Sequence, residues 1–71
     1  KDIIAVQAKR YSGSVGVKAV QEIIGAVKMY DATEAWVVTN SYYTKQAVKL
    51  ATFNDVYLID RKELIDIILE K

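Results

Sequence analysis

An α/β domain with a mainly parallel sheet is the fold class this chain predicts, and three observations carry the expectation. Short apolar runs alternate three times with longer stretches of helical periodicity. The connections between them are short, as right-handed strand–helix–strand crossovers require. Composition supplies the third: 52% of the 71 residues are hydrophobic, with 3 Gly and no Pro, enough apolar side chains for one core and one domain.

The first strand is read from Ile3 to Lys9 in "IIAVQAK", followed by the turn Arg10-Tyr11-Ser12-Gly13. Ser14 then caps a helix from Val15 to about Tyr30. Its apolar stripe is Gly16, Val20, Ile23, Val27 and Tyr30, with Lys18, Glu22 and Lys28 facing elsewhere. Asp31-Ala32-Thr33 closes that helix. The second strand, Ala35 to Thr39, is apolar on both faces, which suits a central position and makes Trp36 a core residue. Asn40-Ser41 leads into a helix from about Tyr42 to Phe53, with Tyr43, Ala47 and Leu50 inward and Lys45 and Lys49 outward. The third strand is Val56 to Ile59, and Asp60-Arg61-Lys62-Glu63 is a capping-box pattern opening the last helix. Leu64, Ile65, Ile67, Ile68 and Leu69 spread around too much of that helix for one dry side.

If the strands lie in chain order, right-handed crossovers put the first two helices on one sheet face. The other face then has only the last helix to cover it. The chain also begins at Lys1 rather than Met, so residues 1–71 are expected to be part of one larger domain whose N-terminal portion is missing. Covering the bare face is expected from a second copy, as a homodimer through Leu64, Ile65 and Ile68, or from the rest of its own chain.

Residue usage removes several classes of chemistry. There is no Cys and no His, so disulfides, thiolate zinc sites and a His-containing hydrolase triad are excluded. No apolar run approaches the roughly 20 residues needed to cross a bilayer, and no signal-peptide pattern is present, so no membrane partner and a cytoplasmic location are expected. Residues 1–30 carry five basic side chains against two acidic, and residues 31–71 carry five against seven. That weak bias places the more positive half at the first strand.

The first strand also holds the polar residues that need explaining. Gln7 and Lys9 share one strand face close to its carboxyl end, where parallel α/β folds place their sites. Gln21, about 10 Å along the following helix, comes level with Gln7. Thr39, Asn40 and Ser41 end the neighbouring strand, where a helix N-terminus favours anions. From the residues alone, Lys9 reads first as a solvated strand-end lysine, Gln7 as an edge amide and Ser41 as an N-cap, while Gln21 reads equally as a solvent-facing helix residue. Arg10 and Tyr11 fit a salt bridge and a packed ring as well as a phosphate grip.

"AVQAKRYSGSVGVKAVQEIIGA", "WVVTNSYYTKQAVKLA" and "VYLIDRKEL" resemble, in order and spacing, the catalytic core of Mrr-type restriction endonucleases of the PD-(D/E)xK superfamily. The resemblance implies a three-layer restriction-endonuclease-like core, here a β-α-β-α-β-α piece. It also implies metal-dependent hydrolysis of double-stranded DNA, in restriction of foreign or modified DNA. Gln7-Ala8-Lys9 matches the second half of the family motif, with Gln in the Glu position. By that match Gln7 and the Ala8 backbone carbonyl are ligands for Mg²⁺ (or Mn²⁺), and Lys9 acts on the attacking water or the pentavalent transition state. Gln21 becomes an accessory catalytic residue, and Arg10, Tyr11, Lys18, Ser41 and Thr44 become DNA-binding residues.

The family's upstream Asp is absent from the chain. Asp2 does not replace it, being on the opposite strand face and about 16 Å from Gln7 along the strand. No carboxylate is therefore expected at the metal site, and the chain alone is expected to be inactive. A non-catalytic DNA-binding or assembly module that keeps the nuclease fold is the alternative. A flavodoxin-like or receiver-like domain is weaker still, for want of an acidic pocket or a Gly-rich phosphate loop.

Overall fold

The computed structural model describes residues 2–70, so Lys1 and Lys71 lie outside the described residues. Its elements run β1 (Ile4–Lys9), α1 (Val17–Tyr30), β2 (Glu34–Thr39), α2 (Lys45–Phe53), β3 (Val56–Ile59) and α3 (Arg61–Leu69). The strands lie in chain order, β1-β2-β3, and both pairs are parallel. The α/β class, the alternating order and the parallel sheet are those expected of a restriction-endonuclease-like core.

Register decides which side chains meet. Gln7 lies opposite Val37, which lies opposite Leu58. Period-two alternation therefore puts Ala5, Gln7, Lys9, Ala35, Val37, Thr39, Val56 and Leu58 on one face. Helices α1 and α2 pack on that face and on each other. Between them lies the core of Val15, Ala19, Val20, Ile23, Ala35, Val37, Ala47, Ala51 and Val56. Four of these nine are alanines, which lets both helices approach the sheet closely. Tyr43 braces the layer: its hydroxyl lies 2.8 Å from the Val37 carbonyl oxygen and 3.0 Å from that of Ile59.

The opposite face is largely open. Helix α3 touches β2 and β3 but does not pack on α1 or α2, which places it across the sheet. It buries no residue completely. Val6 is 60% exposed, Tyr57 56% and Ile68 58%, so an apolar surface extends from β1 to α3. Trp36 belongs to this side rather than to the core. It is half-buried, its ring centroid lies 5.7 Å from that of Tyr57, and its indole N–H donates to Glu34.

Two helix starts differ from the sequence expectation, for one reason. Helix α1 begins at Val17 with Gly16 as its N-cap, and α2 begins at Lys45 with Thr44 as its N-cap. The residues just before them are used in pairing the two loops. Val15 bridges to Tyr43, its N–H donating to the Tyr42 carbonyl at 2.7 Å, while Thr44 N–H donates to the Val15 carbonyl at 3.0 Å. Val15 is held extended by these bonds and fills the core, so Ser14 cannot cap a helix there. At the other end of α1, Tyr30 is exposed, because Asp31 with φ 53° ends the helix immediately after it. The capping box of α3 forms as expected, with Asp60 accepting from Glu63 N–H at 2.9 Å and Glu63 from Asp60 N–H at 3.1 Å.

Candidate active site

The carboxyl end of β1 brings together Gln7, Lys9 and a residue the sequence reading left aside, Glu22. The Gln7 amide N–H donates to Glu22 Oε1 at 2.8 Å, and Lys9 Nζ lies 3.1 Å from the same oxygen. One carboxylate oxygen thus receives both side chains of the Gln-x-Lys pair. The hydrogen bond from Gln7 is the largest cause holding the Glu22 carboxyl below its ordinary pKa; the bond and charge of Lys9 follow, and the charge of Lys18 adds to them. Partial desolvation opposes these effects without reversing them.

Donating its nitrogen to Glu22 fixes the orientation of the Gln7 amide, since a flip would set two oxygens against each other. Gln7 Oε1 then points inward, buried, with no hydrogen-bond partner among the described residues. A buried acceptor without a donor is uncommon in folded proteins. Around Lys9 and Glu22, a cavity of about 100 Å³ is lined also by Tyr11, Gly16 and Lys18, next to the amino end of α1. That helix end has no side-chain cap and no acidic residue in its first turn, so its N–H groups and positive dipole end remain available to an anion.

The loop carrying Arg10 and Tyr11 is tied to the end of β2. Tyr11 N–H donates to Asn40 Oδ1 at 3.1 Å, and the Ser41 hydroxyl donates to the Gly13 carbonyl at 2.6 Å. Ser41 also accepts from Arg61 N–H at 2.9 Å, joining the start of α3 to the same rim. It is not a helix cap; Thr44 is, its hydroxyl accepting from Ala47 N–H at 3.1 Å. Ser41 and Thr44 hold the loops, while Lys9, Tyr11 and Lys18 line the cavity and Gln7 is bonded to Glu22. Arg10 is exposed. Ala8 lies on β1 between Gln7 and Lys9 and points its methyl to the open face.

Gln21 does not reach this cluster. It lines a broad open groove between α1 and α2, with Val17, Gln46 and Phe53. Helical rotation separates the two neighbours: Val17 and Gln21 form one i,i+4 ridge toward α2, while Lys18 and Glu22 form another toward β1. Two signals for Glu22 were present in the sequence. It lies four residues after Lys18, and it is the acidic residue nearest in height to a strand face carrying an amide and an ammonium.

One carboxylate, that of Glu22, therefore stands against Gln7 and Lys9. Among the described residues no three acidic, His or Cys side chains gather as a metal cluster. Among the residues lining the cavity Glu22 is the one carboxylate, beside the Lys9 and Lys18 ammoniums, so these residues by themselves do not make a site for Mg²⁺ or Mn²⁺. No helix of the described residues is long and apolar enough to cross a membrane.

A family model described as restriction endonuclease, the Mrr-type catalytic domain, matches residues 1–68. Neither a curated protein nor a solved structure gives a match.

Proposed function

Since the chain belongs to the Mrr-type restriction endonuclease catalytic domains of the PD-(D/E)xK superfamily, we propose that it is the core of a metal-dependent endonuclease acting on double-stranded DNA. The observation that supports this most is the convergence of Gln7, Lys9 and Glu22 on one oxygen at the carboxyl end of β1. Restriction of foreign or modified DNA in the cytoplasm is the role we assign to it. Residues 1–71 form the part of its catalytic domain that carries Gln-x-Lys.

Phosphodiester hydrolysis joins a water oxygen to phosphorus and breaks the bond to the leaving sugar oxygen. One proton leaves the water and one is taken up by the leaving oxygen. A divalent cation, when bound, neutralises the charge that builds on the phosphate and acidifies the water. Gln7 Oε1 and the Ala8 carbonyl would hold it, and the Lys9 ammonium would orient that water or steady the pentacoordinate phosphate. Arg10, Lys18 and the uncapped end of α1 draw in the DNA backbone, and Tyr11 offers a flat face beside them. Ser41 and Thr44 serve DNA binding by shaping the loops that present these groups.

The family's acidic residue before Gln-x-Lys is not among the 71 residues, and we expect the chain on its own not to cleave. The open apolar face formed by β1, Tyr57 and α3 fits a cover from a second copy or from more of its own chain. A second reading has its own support. Lys9 is neutralised by Glu22 in the free protein, as expected of a DNA-binding or assembly module that has lost catalysis.

Plasmid nicking separates the two. Full-length protein with Mg²⁺ or Mn²⁺ should convert supercoiled DNA to open-circle and linear forms, and chelator should stop it. Tight DNA binding without any metal-stimulated nicking would establish the second reading instead.

A further inference from the structure

We propose that Asn40 and Arg61 continue the DNA-binding rim beyond β1, so that Arg10, Asn40 and Arg61 form a row of phosphate-binding donors across the carboxyl edge of the sheet. The inference rests on the DNA-nuclease reading and adds to it contacts from the ends of β2 and β3.

Register makes the row. Lys9 lies opposite Thr39, so Arg10 follows opposite Asn40; Val38 lies opposite Ile59, so Asn40 follows opposite Arg61. The segments stay joined past the strand ends. Tyr11 N–H donates to Asn40 Oδ1 at 3.1 Å, and Arg61 N–H donates to the Ser41 carbonyl at 2.9 Å. Neighbouring strands lie about 4.8 Å apart, so the row runs about 10 Å, the rise of about three nucleotides on one strand of DNA. All three side chains are exposed.

The Asn40 amide has one orientation. A backbone N–H can only donate, so the atom facing Tyr11 is the amide oxygen, and the NH₂ group is turned away with both its donors unused among the described residues. With its oxygen committed to Tyr11, Asn40 does not offer the donor–acceptor pair that reads adenine, and a donor alone suits a phosphate oxygen. The ion pair among the described residues is that of Lys9 with Glu22, which leaves the Arg61 guanidinium unpaired. Asp60 and Glu63, the acidic groups beside it, are engaged in the capping box of α3. The bond from the Ser41 hydroxyl to the Gly13 carbonyl at 2.6 Å adds a second tie between the loops after β1 and β2. The row is therefore ordered before DNA arrives, and binding needs little further ordering.

Affinity of the full-length protein for short duplexes in chelator, measured across a salt series, tests the row. Arg61→Gln should weaken binding and flatten its salt dependence by about one unit. Asn40→Ala should weaken binding by about 10-fold with the salt slope unchanged, because a neutral amide releases no counterion. Asn40→Asp keeps an oxygen for Tyr11 N–H but replaces the donor by an anion, so it should bind more weakly than Asn40→Ala. An asparagine that only held the loop would give the reverse order. Each loss should be the same on duplexes of unrelated sequence. Wild-type affinity in Asn40→Ala or in Arg61→Gln, tighter binding by Asn40→Asp than by Asn40→Ala, or a loss confined to some sequences overturns the row, and the nuclease reading survives if the wild type binds and nicks DNA. A wild type that binds no duplex overturns both.

Discussion

Replacing Tyr43 by Phe removes one oxygen from the place where β2, β3 and the loop before α2 are braced. The hydroxyl has one proton for two carbonyls, Val37 at 2.8 Å and Ile59 at 3.0 Å, so the loss counts as one neutral hydrogen bond and not two. One such bond contributes about 1 kcal/mol net, and leaving part-buried carbonyls short of a donor brings the expected cost to about 1–2 kcal/mol. For a domain of this size each kcal/mol moves Tm by about 4–8 °C, so a fall of about 4–16 °C is expected. Urea unfolding measures the loss, with the slope unchanged because the exposed surface on unfolding is the same. Alkaline pH offers a second readout. Burial raises the Tyr43 phenol above its ordinary value of 10.0, the bond at Ile59 opposes this, and the charges of Asp60 and Glu63 add to the rise. The folded protein thus keeps a proton that the unfolded chain loses, so this stabilisation is complete below pH 10 and declines as pH rises above it. The Phe variant lacks that part of the decline. A variant with the wild-type urea midpoint, or the same alkaline loss in both proteins, contradicts the brace.

Three further outcomes follow from the loops and the rim. Thr44→Ala should cost about 1 kcal/mol in urea unfolding as the loss of the α2 N-cap; an unchanged midpoint would deny the cap. Glu22 has a lowered pKa, so its contribution is present above the ordinary carboxyl value of 4.5 and is lost as pH falls through the lower folded value. Glu22→Gln should therefore show a shallower acid decline in Tm, and identical acid limbs would contradict the cluster with Gln7 and Lys9. Neutralising Arg10 and Lys18 together should weaken DNA binding equally across sequences and flatten its salt dependence by about one unit per lost phosphate contact. A sequence-dependent loss would mean base reading at this rim.

Much of this was legible in the sequence because it depends on local period. Three apolar runs separated by amphipathic stretches point to a parallel sheet, and the Asp60–Glu63 capping box is a four-residue signal that forms as written. Alternation along β1 placed Gln7 and Lys9 on one face without any tertiary knowledge. What escaped depends on contacts between distant segments. Val15 is extended because Tyr42 and Thr44 hold it, and no pattern within residues 10–17 announces that. Trp36 suits a core by composition, yet register sends it to the open face beside Tyr57. Glu22 was passed over because rise along α1 brings Gln21 and Glu22 to nearly the same height above Gln7. The difference of about 100° around the helix axis, which rise alone does not report, turns one toward α2 and the other toward Lys9.

The central claim is that Lys9 is the catalytic ammonium of a metal-dependent endonuclease. Full-length Lys9→Ala and wild-type protein should be compared side by side, for DNA affinity in chelator and for single-turnover plasmid nicking after Mg²⁺ is added. The variant should bind DNA nearly as well as the wild type and should not nick it above background. Metal-stimulated nicking that persists at the wild-type rate in Lys9→Ala contradicts it.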